Sequence, residues 1–284
     1  MKQIIFVLGF VLISINGTAQ EKKAYQLFDK KGKKVCYEKL LKASQKTEVV
    51  LFGEYHNNPI AHWLELELAK DIAQKRNVVL GAEMFEADNQ EKLDLFVKRG
   101  IDQTHLDSLI KVWPNYKTDY RPLVHFARKN KSPFIATNIP RRFASLVSKK
   151  GFEALDNLTA EEKLWIAPLP IDFDASLPGY ANMMKMMGDH ANPNLPKAQA
   201  IKDATMAYFI AKNLKPDSVF IHYNGSYHSD NFEGIYWYLK KASPNMKIIT
   251  IATVEQSDLK KIVAENYNKA DYILVIDEDV TKTF

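Results

Sequence analysis

Leu51-Phe-Gly-Glu-Tyr-His-Asn-Asn-Pro59 joins an apolar run to a helix start and carries two ionisable side chains across the junction. Upstream, Glu48 to Phe52 reads as a buried strand, because Val49, Val50, Leu51 and Phe52 form an unbroken apolar run. Downstream, Asn57 or Asn58 supplies a helix cap, and Pro59 fits the first helical turn. Alternate side chains of an extended segment point to opposite faces, so Glu54 and His56 leave the strand end on one side. Carboxyl ends of strands are where open α/β sheets build their sites. A strand-to-helix turn made only for packing needs neither a carboxylate nor an imidazole there.

The same rhythm runs outward from this junction. Ile60, Leu64, Leu68 and Ile72 recur at helical spacing on a helix that ends near Arg76-Asn77. His62 lies off that stripe and is expected in solvent; His105 and His125 read as structural. Val78 to Met84 is a second strand carrying Glu83, and Pro133 to Thr137 a third that delivers Asn138, after a helix over Arg121 to Asn130. Ser218 to Tyr223 is a fourth, followed by Asn224-Gly-Ser-Tyr-His228, and Lys247 to Thr253 and Tyr272 to Asp277 are two more. Strand–helix alternation predicts an α/β fold: a mainly parallel sheet with helices on both faces.

One region breaks the alternation. Residues 140–196 hold no convincing strand, several prolines, and Tyr180-Ala-Asn-Met-Met-Lys-Met-Met-Gly-Asp-His190, with four of the eight methionines. This segment reads as a helical cap laid over the sheet edge, inserted in one domain over 20–284.

Residues 1–19 have the form of an export signal: Lys2, a largely apolar run from Ile4 to Ile15, then Gly17-Thr-Ala19 before Gln20. The expected location is exported, and periplasmic. The apolar run is shorter than the ~20 residues of a spanning helix. Cys36 is the sole cysteine, so no lipid-bearing cysteine starts the mature chain and no intrachain disulfide can form. Without Lys2, 38 basic residues face 34 acidic ones, a formal +4. The lysines are scattered rather than clustered with aromatics, which gives no case for nucleic acid.

Ionisable or amide groups recur at the strand ends: Glu54 and His56, then Glu83, then Asn138, then His222, Asn224 and His228. Buried carboxylates and imidazoles are costly unless paired, hydrogen-bonded or metal-bound, so one shared cleft explains the repetition. His56, Glu83, His222 and His228 are candidate ligands for a divalent metal. Glu54, His56, Glu83 and His228 are equally candidates for metal-free acid–base catalysis. No His-Glu-x-x-His run decides between them, and His222 suits a satisfied core histidine as well as a ligand. Arg121, beside Pro122 at a helix start, belongs in the cleft either as an anion contact or as a partner for Glu54 or Glu83.

The ordered set Gly53-Glu-Tyr-His56, Glu83-Met-Phe, Trp113-Pro, Tyr120-Arg-Pro122, Asn138-Ile-Pro140, Ala198-Gln-Ala-Ile-Lys-Asp203 and Gly225-Ser-Tyr-His228 resembles the ChaN-like haem-binding uptake proteins. These belong to the wider Tiki/TraB/erythromycin-esterase superfamily, and the resemblance spans roughly residues 45–240. It implies haem as cofactor, a link to haem or iron uptake machinery, and a metal-dependent hydrolase as the alternative activity of the Glu/His cleft. It also implies a haem tyrosine and a nearby histidine in the cap, Tyr180 and His190. Met183, Met184, Met186 and Met187 are soft side chains suited to a porphyrin face, or else they pack the cap. Many family members are lipoproteins; this chain lacks the cysteine. An exposed methionine-rich cap also favours a homodimer around haem.

Overall fold

The computed structural model describes residues 22–187 and 192–284, with the side chain of Met187 excepted; the expected export signal over 1–19 and His190 lie outside them. The run at 51–59 folds as its composition requires. Val49–Glu54 is a fully buried strand, β3 in chain order, and Pro59–Ala73 is helix α2. Asn58 caps that helix, accepting from the backbone N–H of Ile60 at 3.0 Å and of Ala61 at 3.2 Å.

The remaining strands are β1 (Tyr25–Asp29), β2 (Lys34–Val35), β4 (Asn77–Glu86), β5 (Phe134–Asn138), β6 (Ser218–Gly225), β7 (Ile248–Gln256) and β8 (Tyr272–Asp277). They form one sheet in the order β2-β1-β8-β7-β3-β6-β4-β5. The six strands from β8 to β5 are parallel, as the alternation predicts, and β1 and β2 add an antiparallel edge. That amino-terminal hairpin is an addition to the six strands legible in the sequence. Its turn needs Gly32, at φ +76, where an added Cβ would meet the Tyr267 ring at 2.5 Å.

Alternation along β3 divides the core. Val50 and Phe52 pack with Leu64, Leu68 and Ile72 of α2, and with Leu123, Val124 and Ala127 of α5 (Arg121–Asn130). Val49 and Leu51 face Met206, Ala207 and Ile210 of α8 (Leu195–Asn213), and Ile235 and Leu239 of α9 (Ile235–Ala242). A parallel sheet needs this covering on both faces. Residues 140–196 contain no strand among those described. They hold α6 (Arg141–Lys150) and α7 (Pro178–Met187), both packed on α8.

Candidate functional site

Strand alternation decides which face each polar group takes. Glu54 follows Val50 and Phe52 in register and so points to the α2 side. Glu83, two residues beyond Gly81 and four beyond Val79, points to the α8 side. The two glutamates therefore sit on opposite faces of the sheet, and two histidines at its carboxyl edge bring them into one site.

On the α2 side, His56 Nδ1 lies 2.7 Å from Glu54 Oε1. Tyr120 donates its hydroxyl to the same oxygen at 2.7 Å. Burial alone pushes the Glu54 carboxyl up, but His62, together with the hydrogen bond from His56, holds it far below the usual carboxylate range. Burial pushes His56 down and Glu54 more than reverses this, so the imidazolium is favoured. The His56 side chain is 35% exposed, against a wholly buried Glu54, so its free Nε2 is the nitrogen that faces the cleft. Trp113 meets the ring edge-on at 4.9 Å.

On the α8 side, His228 Nε2 lies 3.2 Å from Glu83 Oε1 and its Nδ1 2.5 Å from Asp203 Oδ1. Glu83 Oε2 accepts the Gly225 N–H at 2.8 Å, and Asn138 donates to the Glu83 carbonyl at 2.9 Å. Burial opposes charge on His228, yet Glu83 and Asp203 raise it to about 10, and Glu83 in turn falls to about 2. Asp203 is pushed up, chiefly by burial, and accepts the Tyr180 hydroxyl at 2.8 Å. A Tyr180–Asp203–His228–Glu83 chain thus runs from α7 through α8 to the sheet edge.

Gly225 joins the halves. A Cβ there would lie 2.9 Å from His56 Nε2 and 3.6 Å from Glu83 Oε2, so the missing side chain is what lets His56 lie against this strand end. His56 and Glu83 also lie close enough to stabilise each other's charge. Glu54, His56, Glu83, Asn138 and His228 converge at one sheet edge, with α7 of the cap tied to them through Tyr180.

Four side chains depart from the sequence-based expectations. His222 is fully buried, with Nε2 2.8 Å from Thr137 Oγ1 and Nδ1 3.0 Å from Asn224 Oδ1. Burial pushes it down to about 4, and with both nitrogens committed it is a core histidine rather than a free ligand. Among the described residues Arg121 forms no ion pair. One helical position turns it away from Tyr120, and its charge acts on Tyr116 and His125. Tyr120 takes the cleft position expected of Arg121. His62 is buried, not solvated, and its partners are Glu54, Glu65 and the His56 carbonyl. Tyr180 is buried, with its oxygen turned inward to Asp203, and burial, helped by that acid, keeps the phenol protonated.

Asp203, Gln199, His62, Glu65 and Tyr120 complete the site without having been singled out as its members. Three carried a signal. Gln199 and Asp203 lie one helical turn apart on α8 amid small and apolar residues. Glu65 falls inside the buried arc of α2, between Ala61, Leu68, Ala69 and Ile72.

Two carboxylate–imidazole pairs facing each other can do acid–base chemistry: Glu54 orients His56 through Nδ1 and leaves Nε2 for substrate, while His228 is held charged. As cation donors the cleft offers Glu83 and the free Nε2 of His56, while Glu83 and Asp203 engage both nitrogens of His228.

Comparison with known proteins places this architecture. A profile of haem-binding uptake proteins, described as Tiki superfamily, ChaN, matches residues 40–239, and the chain belongs to that family. Its fold is similar to ChaN of Campylobacter jejuni, a structure of cofacial haem binding, with TM-score 0.68 at 19% identity over 91% of this chain and 99% of that one. It is also similar to the erythromycin esterase EreC in its open conformation, with TM-score 0.50 at 10% identity over 86% of this chain and 95% of that one. At such identities the likeness is one of fold. In sequence, the chloroplastic protein RETICULATA-RELATED 5 of Arabidopsis thaliana is 26% identical over 199 residues, 64% of this chain and 26% of that protein. The chain therefore spans about a quarter of that relative's length.

Proposed function

We propose that this member of the haem-binding uptake family binds haem against the cap helix α7 and serves haem or iron uptake from an exported location. The observation that carries the reading is the outer face of α7. Met186 is 86% exposed there, beside half-buried Met183 and Met184. Thioether side chains left on the surface suit a flat apolar ligand, and a second copy of the chain closing over it. The leader-like run behind Lys2 supports export.

The donor set fits haem in part. Ferric haem takes a phenolate oxygen well. Tyr180 reaches iron only by giving up Asp203, since its oxygen is buried in that bond. Tyr227 is 46% exposed and places its hydroxyl 2.5 Å from the Gly179 carbonyl at the start of α7, so it is the open phenol beside the cap. We take Tyr227 as the ligand in this arrangement, with Tyr180 anchoring α7 to the cleft.

Titrating the apo-protein with ferric haem tests the proposal. Saturable uptake with a distinct Soret band is expected, shifted strongly in Tyr227→Phe and little in Tyr180→Phe. The opposite pattern makes Tyr180 the ligand, and the absence of saturable uptake refutes haem binding. A second reading rests on the paired Glu54–His56 and Glu83–His228–Asp203 groups, which suit a hydrolase in which His56, held charged by Glu54, donates a proton through Nε2. Hydrolytic activity lost in His56→Ala, with the haem spectrum intact, supports it.

A further inference from the structure

Behind His56, on the side away from the cleft, α2 brings two further ionisable groups against Glu54. His62 and Glu65 are buried, as is Glu54 itself. The two oxygens of Glu54 are divided in use. Oε1 takes the Tyr120 hydroxyl and His56 Nδ1, each at 2.7 Å. Oε2 is buried, faces His62 Nδ1 at 3.1 Å, and has no hydrogen-bond partner. On the far side, Glu65 Oε2 lies 3.0 Å from the same nitrogen, and Glu65 Oε1 is buried without a partner. Two carboxylates share one imidazole here, with Asp119 Oδ2 a further 3.6 Å from its other nitrogen. Crowding two carboxylates around one imidazole in a dry interior is costly: burial and the neighbouring Glu54 push the Glu65 carboxyl well above the usual carboxylate range.

We propose that Glu54, His62 and Glu65 form a closed structural site for one first-row divalent cation, with Zn2+ the best match. Three observations converge on it. The ligand atoms of the three residues all lie within 4.8 Å of one another. Tetrahedral donors at about 2.0–2.1 Å from zinc stand about 3.3 Å apart, so the 3.0 and 3.1 Å separations need only a small expansion. The unpartnered oxygens, Glu54 Oε2 and Glu65 Oε1, belong to the two carboxylates that flank His62 Nδ1. The outer contacts are those of a ligating histidine. His62 Nε2 lies 3.1 Å from the His56 carbonyl, so an N–H there donates outward and leaves the Nδ1 lone pair for the cation.

The donor chemistry selects the ion. One imidazole and two carboxylates suit Zn2+ or its first-row neighbours. Ca2+ takes six to eight oxygens and Mg2+ prefers an octahedron rich in water and oxygen, against the two carboxylates and one imidazole gathered here. Bidentate binding through Glu65 Oε1 completes four donors. With both carboxylates ionised and His62 neutral, a 2+ ion closes the charge of the three ligands. The cation would pin Glu54 from behind, and through it the orientation of His56. It is a different site from the cleft, because neither His56 nor His228 contributes a donor.

Co2+ and Zn2+ serve as probes, with chelator-stripped protein loaded during refolding because the site is buried. One equivalent of Co2+ with the visible bands of a tetrahedral site is expected. It should be lost in His62→Gln and Glu65→Gln and kept in the His56→Ala, His228→Ala double variant. Bands lost in the double variant but kept in Glu65→Gln place the ion in the cleft and overturn the proposal. So does a folded wild-type chain that takes up no Co2+. X-ray absorption of the Zn2+-loaded wild type needs no variant: one imidazole among oxygen donors is expected, and two imidazoles refute the assignment. A Zn2+-dependent rise in melting temperature, absent in Glu65→Gln of native near-ultraviolet circular dichroism, gives a further check.

Discussion

Gly225→Ala is the most informative single change at the cleft, because backbone strain is not its cost. Gly225 sits at φ −54, a conformation alanine adopts freely, and restricting the unfolded chain stabilises by about 0.4–1 kcal/mol. Against this, the new methyl would lie 2.9 Å from His56 Nε2 and 3.0 Å from its Cε1, where ordinary contacts begin at 3.4 Å. The ring must retreat by roughly half an ångström, at an overpacking cost of about 1–3 kcal/mol. Its 2.7 Å bond to Glu54 is stretched at the same time, and hydrogen bonds to charged groups contribute about 1.5–3 kcal/mol. A net loss of about 1–3 kcal/mol is expected in denaturant unfolding. The decisive measurement is a double-mutant cycle with His56→Ala. Without the imidazole the methyl has room, so Gly225→Ala should be neutral or mildly stabilising there, giving a coupling of at least 1 kcal/mol. Equal costs in both backgrounds, within about 0.5 kcal/mol, refute the claim that Gly225 exists to admit His56.

Other expectations can be read on the same unfolding assay. His228 is raised from 6.5 to about 10 in the fold, so its contribution is fully present below pH 6.5 and is lost as pH rises through 10. Glu83→Gln removes one of its two carboxylates, should cost about 3 kcal/mol at neutral pH, and should shrink that alkaline loss; an unchanged alkaline limb refutes the pairing. Asp230 is raised from 3.8 to about 7 by burial that Lys269 only partly offsets, so its contribution is full below pH 3.8 and falls away as pH climbs through 7. Asp230→Asn should flatten that decline, by at most about 4 kcal/mol; a decline of the same size in the variant contradicts it. Asn58→Ala removes the cap of α2 and the 2.7 Å contact to Glu255 and should cost about 1–2 kcal/mol, measured as a lower denaturation midpoint at unchanged slope.

Much of this architecture is local and therefore legible in the chain. The six parallel strands announce themselves as apolar runs, since a strand covered on both faces has no polar side to interrupt it. Asn58 and Pro59 mark the start of α2 by capping chemistry alone. Glu54, His56, Glu83 and His228 stand out because ionisable groups immediately beyond buried strands demand partners. The β1–β2 hairpin left no such mark. Its strands are five and two residues long, and they persist by pairing with β8 and packing Gly32 under Tyr267.

What the chain could not disclose is which partner each polar group meets, because those partners come from elements far apart in sequence. Asp203 and Tyr180 reach His228 only once α7 lies on α8 and α8 covers the sheet. His62 looks solvent-facing on a narrow helical stripe. The broad arc that α2 buries against the sheet and α5 encloses it instead, together with Glu65. Tyr120 and Arg121 are neighbours in sequence, and helix geometry alone sends one to Glu54 and leaves the other outside. Local periodicity selects a face for a side chain, whereas the charge it finds there depends on which element is packed against that face.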